Sequence, residues 1–238
     1  MAKTIFVTGT DTGVGKSVAS ATIAMLLRRQ GHLVGIMKPI TSGCPERDGR
    51  LVSEDAELLS WAAGTELTPD CTPYLLKAPL APSMAAKLEG IRIDFRVIEE
   101  AYQRLAATCD YLIVEGAGGL MVPIAGGLLM SDLAAQLGLP LVVVARPNLG
   151  TINHTLLTTF SARNLGLEVK GVIVNRFPDT PDRASEYAPH LISSLSGSLL
   201  LGVFPEVAGS DDRALVEGVV ERLERDPATA IMLREMFG

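Results

Sequence analysis

The 238-residue sequence has few cysteines, few histidines and no long hydrophobic run. Its three cysteines, Cys44, Cys71 and Cys109, show no C-x-x-C spacing, and an odd number does not make a complete disulfide framework. They read as reduced thiols, the usual state inside a cell. The three histidines, His32, His154 and His190, lie too far apart to suggest a zinc cluster. The longest apolar stretches, such as Leu139 to Ala145, are far too short to span a bilayer. Met1 to Val7 runs straight into a strand-like pattern and has no signal-peptide layout. The expectation is a soluble, cytoplasmic protein. Positive charge is scarce too: Lys plus Arg total 21 against 27 Asp plus Glu, a net charge of -6. That balance argues against a nucleic-acid coat or an anionic membrane partner, and leaves room for a local basic pocket.

What is present points to an α/β protein. At 47% hydrophobic the chain can bury a large core, and residues 1–238 read as one domain. Six short runs are continuously apolar: Thr4–Thr8, Leu33–Met37, Tyr111–Val114, Leu139–Ala145, Val169–Val174 and Ser198–Val203. Strands covered on both faces read this way. Helical patterns lie between them, at Lys16–Arg29, Phe95–Ala107, Ser131–Leu137, Thr151–Leu165 and Arg183–Leu195. This alternation implies a doubly wound, mostly parallel sheet flanked by helices. Residues 43–53 read as a mobile loop. Residues 68–83 carry four prolines and read as an ordered, irregular excursion over a sheet edge. Ser210–Arg225 reads as an amphipathic helix with Leu215, Val219, Val220 and Leu223 on its packed face.

The strongest motif is Gly9-Thr10-Asp11-Thr12-Gly13-Val14-Gly15-Lys16-Ser17, placed between a strand and a helix. That is the context of a P-loop, although the first spacing is one residue longer than G-x4-GK[ST]. Glycines let successive N–H groups turn inward around an anion, and the helix N-terminus adds its dipole. Gly13, Val14, Gly15, Lys16, Ser17 and Val18 are therefore the expected phosphate cradle. Lys16 places charge on the terminal phosphates, and the Ser17 hydroxyl suits Mg²⁺. Nucleotide binding follows, and a nucleoside triphosphate at such a loop implies Mg²⁺.

In open α/β sheets, ligands sit beyond the carboxyl ends of the strands. The second strand leads into Lys38, which reads either as charge stabilisation of a transferring group or as a solvated loop lysine. The third ends in Glu115-Gly116-Ala117-Gly118, where the carboxylate suits Mg²⁺ and the glycines admit phosphate oxygens. Asp55 is a second candidate metal ligand, and on spacing alone Glu54 is as good. The fifth ends in Asn175-Arg176, whose carboxamide suits an adenine edge. No N-K-x-D pattern follows, which disfavours a guanine nucleotide. Pro205, Glu206 and Val207 fit the floor of a base pocket. The turn Leu149-Gly150-Thr151-Ile152-Asn153 opens a helix whose free N–H groups suit a carboxylate. His154 reads as a packed helix residue rather than a base.

Taken together, Val7–Thr12 with Val14-Gly15-Lys16, Lys38-Pro39 with Ser42-Gly43, Asp55, Glu115–Gly119, Leu149–His154, Asn175 and Glu186-Tyr187 resemble the dethiobiotin synthetase family from end to end. The resemblance implies that ATP drives ring closure of 7,8-diaminononanoate with CO2 through a carbamate and a mixed anhydride. It implies catalytic roles for Thr12, Lys16 and Lys38, a substrate contact at Ser42, and Mg²⁺ on Ser17, Asp55 and Glu115. It also implies a homodimer, with the Leu149–Ile152 backbone, Asn153 and Tyr187 of the partner holding the substrate carboxylate. Two positions depart from the family: Gly13, where some members carry an acid, and Ser83, where a histidine or similar residue is expected. Two rivals remain. An amidating relative would need a glutaminase domain that a chain of this length has no room for. A partitioning-type ATPase would carry a signature lysine where Asp11 stands.

Overall fold

A computed structural model describes residues 2–238. Six strands form one all-parallel sheet: β1 (Lys3–Gly9), β2 (Val34–Met37), β3 (Tyr111–Gly119), β4 (Leu141–Ala145), β5 (Val169–Phe177) and β6 (Leu200–Pro205). Their spatial order is β6-β5-β4-β1-β3-β2, so β1 lies inside the sheet between β4 and β3. The expected doubly wound architecture is the one observed. Strand interiors are buried on both faces, which is why they are continuously apolar: Ile5, Phe6, Val7, Ile113 and Val142 through Val144 are all 0% exposed.

Among the described residues nine α-helices pack around the sheet: α1 (Lys16–Arg29), α2 (Glu54–Ala63), α3 (Pro82–Glu89), α4 (Phe95–Ala106), α5 (Met130–Leu137), α6 (Thr151–Asn164), α7 (Arg183–Leu195), α8 (Asp212–Glu224) and α9 (Ala228–Phe237). One core joins α1, α2, α8 and α9 to one face, through Ile23, Leu59, Val220 and Met236. A second joins α4 and α5 to the other face, through Ile98 and Leu133.

The structure corrects several expectations. Residues 43–53 are not a structureless loop. Glu46–Arg47 and Arg50–Leu51 pair as an antiparallel hairpin. Asp48 and Gly49 both have positive φ, 52° and 74°, the backbone a two-residue hairpin turn needs. Arg47 then pairs with Glu54 and Glu57 of α2 at 2.6 and 2.8 Å, tying the hairpin down. Residues 68–83 are more regular than expected: Tyr74–Leu76 pairs in parallel with Ile40–Ser42, and Pro82 opens α3. The sixth strand lies at Leu200–Pro205, two residues later than its apolar run. β3 continues past Val114 through the glycines to Gly119, which pairs with Gly9. The helices α3 and α9 were not foreseen.

Ser53 connects fold to site. Its hydroxyl accepts from Ala56 N–H at 3.2 Å, capping α2, and lies 2.8 Å from Thr41 Oγ1. This fixes the first turn of α2 against the chain that follows β2. Ser53→Ala should cost about 1–2 kcal/mol of stability, from a lost cap and a buried hydroxyl without a partner. Urea melts of parent and variant measure it; a difference near zero refutes this account of how α2 is anchored.

Candidate active site

The carboxyl end of β1 turns through the glycine loop into α1. Gly15 is the N-cap of α1 at φ 86°, a left-handed conformation costly for residues with a side chain. A Cβ there would also collide with the Asn175 carboxamide. Glycine at 15 is thus required by backbone and neighbour together. Asn175 Nδ2 donates to the carbonyls of Val14 and Gly15, both at 3.1 Å. The next residue, Arg176, has φ 57°, uncommon outside glycine, and its guanidinium donates to Gly13 O at 3.2 Å. The end of β5 therefore clamps the loop. With both N–H donors of Asn175 on loop carbonyls, only its Oδ1 is left to face a base.

Beneath the loop lies a compact ionic cluster. Lys38 is 3% exposed and Glu115 0%. Lys38 Nζ stands 2.5 Å from Glu115 Oε1, 2.8 Å from Asp55 Oδ2 and 3.2 Å from Gly116 O. Ser17 Oγ lies 2.8 Å from Asp55 Oδ1 and 2.9 Å from Glu115 Oε1, and its single proton serves one of them at a time. The ambiguity between Glu54 and Asp55 is resolved by direction: Asp55 points into this cluster, while Glu54 turns outward to Arg47. Lys38 is no solvated loop lysine, and its partner Glu115 is buried with it.

Burial sets the electrostatics, and the partners decide its sign. Burial alone would lower the Lys38 pKa, but the Glu115 and Asp55 carboxylates outweigh it and hold the ammonium above its ordinary 10.5. Burial would raise Asp55, yet the Lys38 charge and the Lys38 and Ser17 hydrogen bonds bring it below 3.8. Lys16 moves the other way. Burial pushes its ammonium down, Lys38 adds to the shift, and Glu115 and Asp55 only partly compensate. An ammonium in that position gains from an incoming anion.

Two hollows adjoin the cluster. The first, about 340 Å³, is walled by Thr12, Gly13, Gly15, Lys16, Ser17 and Val18 on the loop side. Lys38, Ser42, Asp55, Ala117, Gly118 and Arg176 close it opposite. The second, about 230 Å³, is walled by Val18, Asn175, Arg176, Pro205, Glu206 and Val207, with Leu215 and Val219 of α8. Most of the residues singled out in the sequence thus converge. Val14 and Glu115 lie buried just behind the walls. Leu149, Gly150, Thr151, Ile152, Asn153 and Tyr187 do not line either hollow; they sit on α6, the turn before it, and α7. Sequence reasoning missed Asp212, which also borders the first hollow. It read α8 as packing only, although that apolar face supplies the wall of the second hollow.

The donor set also suits a small hard cation. Ser17 Oγ, Asp55 and Glu115 bring oxygens together, and Glu115 Oε2 is buried without a hydrogen-bond partner. Among the described residues no group of three or more His, Cys, Asp or Glu is gathered. Two carboxylates with a hydroxyl are nonetheless what Mg²⁺ requires when phosphates and waters complete its shell.

Fold and loop together define a P-loop nucleotide-binding protein of the doubly wound class. Residues 3–214 match the family model of an AAA domain. A solved ParA family ATPase from Chlorobium tepidum TLS overlays with a TM-score of 0.60 at 16% identity, covering 100% of this chain and 98% of that one. At that identity the likeness is one of fold. Sequence relatives are more specific. The ATP-dependent dethiobiotin synthetase of Bacillus subtilis subsp. natto is 40% identical over 219 residues, 92% of this chain and 94% of the relative. That of Methanocaldococcus jannaschii is 47% identical over 180 residues, 74% and 80% of the two chains. The chain belongs to the dethiobiotin synthetase family.

The cluster's stability has a defined pH window. A raised lysine contributes below its unfolded value and loses that contribution as pH climbs through the folded one. A lowered aspartate contributes above its unfolded value and loses that as pH falls through the folded one. In Lys38→Met, Asp55 keeps the burial that raises its pKa and loses the Lys38 charge that lowers it, so the stability difference between the parent and the variant should grow as pH rises from below 3.8 toward neutrality and shrink above 10.5. Urea melts across pH test this, and a difference that stays flat from acid to neutral pH would contradict the assigned charge states.

Proposed function

We propose that the chain, as one domain of residues 1–238, uses ATP to join CO2 to 7,8-diaminononanoate and close the ring of dethiobiotin, releasing ADP and phosphate. The observation that carries this is the convergence of Lys16, Lys38, Ser17, Asp55 and Glu115 beside a base-sized hollow, in a chain of this family.

The bond changes run in three steps. One amine of the diamine attacks CO2, forming an N–C bond and losing a proton. The carbamate oxygen then attacks the γ-phosphorus, and the bond to the β-phosphate oxygen breaks. The second amine attacks the carbamoyl carbon, the C–O bond to phosphate breaks, and the cyclic urea closes as that nitrogen gives its extra proton to the departing phosphate. Both partners of the phosphoryl transfer are anionic, so the site must concentrate positive charge. Lys16 and Lys38 supply it. Lys38 is held protonated by Glu115 and Asp55, so it stabilises charge and does not remove protons. Thr12 and Ser42 offer hydroxyls to the carbamate side of the hollow. Ser17, Asp55 and Glu115 would hold Mg²⁺, which neutralises phosphate charge when bound. Asn175 Oδ1 accepts from the adenine amino group, and Pro205, Glu206 and Val207 form the floor. Little acid–base machinery is needed, because positioning and electrostatics carry phosphoryl transfer.

The substrate chain has a place beside the loop. A groove of about 340 Å³ runs from Thr12 past Met121 to Leu157, apolar enough for an alkyl spacer. The carboxylate end calls for a second copy. Leu149 in the turn before α6 is 88% exposed, Leu157 and Phe160 on α6 are 56% and 66% exposed, and Tyr187 on α7, which packs on α6, is 57% exposed. Such an apolar face suits burial against its counterpart in a homodimer. The α6 N-terminus follows Gly150 with no side-chain cap, leaving N–H groups for a carboxylate. The Leu149–Ile152 backbone, Asn153 and Tyr187 would serve the neighbouring subunit's site. No helix among the described residues is long and apolar enough to cross a membrane, and the proposed setting is the cytoplasm.

Phosphate release from ATP should require both 7,8-diaminononanoate and bicarbonate, with a cyclic urea of the expected mass as product. Release indifferent to both would leave a nucleotidase and refute the reading. Lys38→Ala should lower kcat by about 10²–10³, a larger loss than in ATP binding, since Lys38 stands beside the loop rather than in it. Equal loss of both would remove Lys38 from the catalytic step. Sedimentation velocity should give a dimer that Phe160→Glu dissociates; a parent sedimenting as a monomer would refute the shared-site arrangement.

A further inference from the structure

The cluster under the loop holds one contested atom. Glu115 Oε1 is shared by the Lys38 ammonium at 2.5 Å and the Ser17 hydroxyl at 2.9 Å. Asp55 is divided in the same way, with Oδ2 on Lys38 and Oδ1 on Ser17. The oxygens suited to a divalent cation are therefore the ones that neutralise Lys38. Glu115 and Lys38 are almost fully buried, so neither charge is screened by water. Glu115 Oε2 is buried without a hydrogen-bond partner, so Oε1 carries both side-chain contacts of this carboxylate. Two cations sharing one buried carboxylate oxygen repel strongly.

We propose that Lys38 is the resident cation of the divalent-metal position, and that it leaves the two carboxylates when metal and nucleotide arrive together. This inference rests on the reading of Asp55 and Glu115 as metal ligands. It assigns Lys38 two alternating partners: the carboxylates first, then the anions of nucleotide and carbamate. The ammonium that stabilises the transferring phosphoryl group is thus released toward the reacting atoms only when the metal takes over Glu115 and Asp55. Lys38 becomes the element that makes metal binding depend on nucleotide. Without nucleotide, a metal would have to expel a buried ammonium with no anion to receive it. With nucleotide, the phosphates receive the ammonium and complete the metal's shell.

The test uses Mn²⁺ as probe, read by electron paramagnetic resonance of the purified chain with and without ADP. The parent should hold Mn²⁺ well only with ADP. Lys38→Met, which keeps the length and removes the charge, leaves two acidic groups unpaired. It should bind Mn²⁺ without ADP at least about tenfold more tightly than the parent. Lys38→Arg should keep the parent's behaviour. Adding Glu115→Gln to Lys38→Met should abolish the gain. If Lys38→Met fails to fold, Lys38→Gln, which retains a hydrogen-bond donor, is read in its place. An unchanged ADP-free affinity in the charge-removed variant, with Mn²⁺ still bound in its ADP complex, overturns the exchange and leaves the ligand reading intact. Glu115→Gln alone with undiminished Mn²⁺ in the ADP complex overturns the ligand reading itself. A parent that binds Mn²⁺ equally with and without ADP overturns the exchange directly.

Discussion

A lysine at 3% exposure stable only because two carboxylates meet it is the constraint around which this molecule is arranged. The three residues come from distant parts of the chain. Lys38 follows β2, Asp55 lies in the first turn of α2, and Glu115 sits in β3. β2 and β3 are hydrogen-bonded neighbours at the sheet's end, which brings Lys38 beside Glu115. Ser53 and the Arg47 hairpin fix the first turn of α2 so that Asp55 closes the third side. Removing any one charge would leave the others buried and unmatched, which costs far more than the cluster contributes as a whole. The arrangement is better understood as a commitment to electrostatics at one point than as a source of stability.

The clamp from β5 acts on the same region from the opposite side. Asn175 and Arg176 grip three successive loop carbonyls, at Gly13, Val14 and Gly15. Holding the carbonyls outward leaves the loop's N–H groups facing the phosphate hollow. The base-side wall and the phosphate cradle are thereby one mechanical unit. This also accounts for the glycine at 15, which leaves room for the Asn175 carboxamide.

Much of this was legible in the sequence because it is local. Strand, glycine loop and helix follow one another over Lys3–Arg29, and their chemistry needs no tertiary information. The six buried strands announced themselves through unbroken apolar runs, since helices cover both faces of the sheet. The choice between Asp55 and Glu54 was not legible, because it depends on where the hairpin places Arg47. The hairpin had its signal in Asp48-Gly49, but its polar flanks lack the alternation that marks a strand. Helix α9 had apolar positions at Met232, Leu233, Met236 and Phe237, and no following strand to call attention to it. The Asn175 donors illustrate a different limit. A carboxamide at a strand end suits a base, and only the folded geometry shows its NH2 turned to the loop.

The position of β1 inside the sheet has a bearing on how the protein is made. Phe6 pairs with Leu141, about 135 residues further along the chain, and Lys3 pairs with Tyr111. At a synthesis rate of about 5–20 residues per second, the strand that carries the phosphate loop waits on the order of ten seconds for its second neighbour. Until then it exposes unpaired edges and apolar faces, the condition under which parallel sheets fold slowly and nascent chains stick to one another. The oldest part of each new molecule is thus left open through much of its synthesis, and its protection during that interval falls to whatever binds exposed strands in the cell.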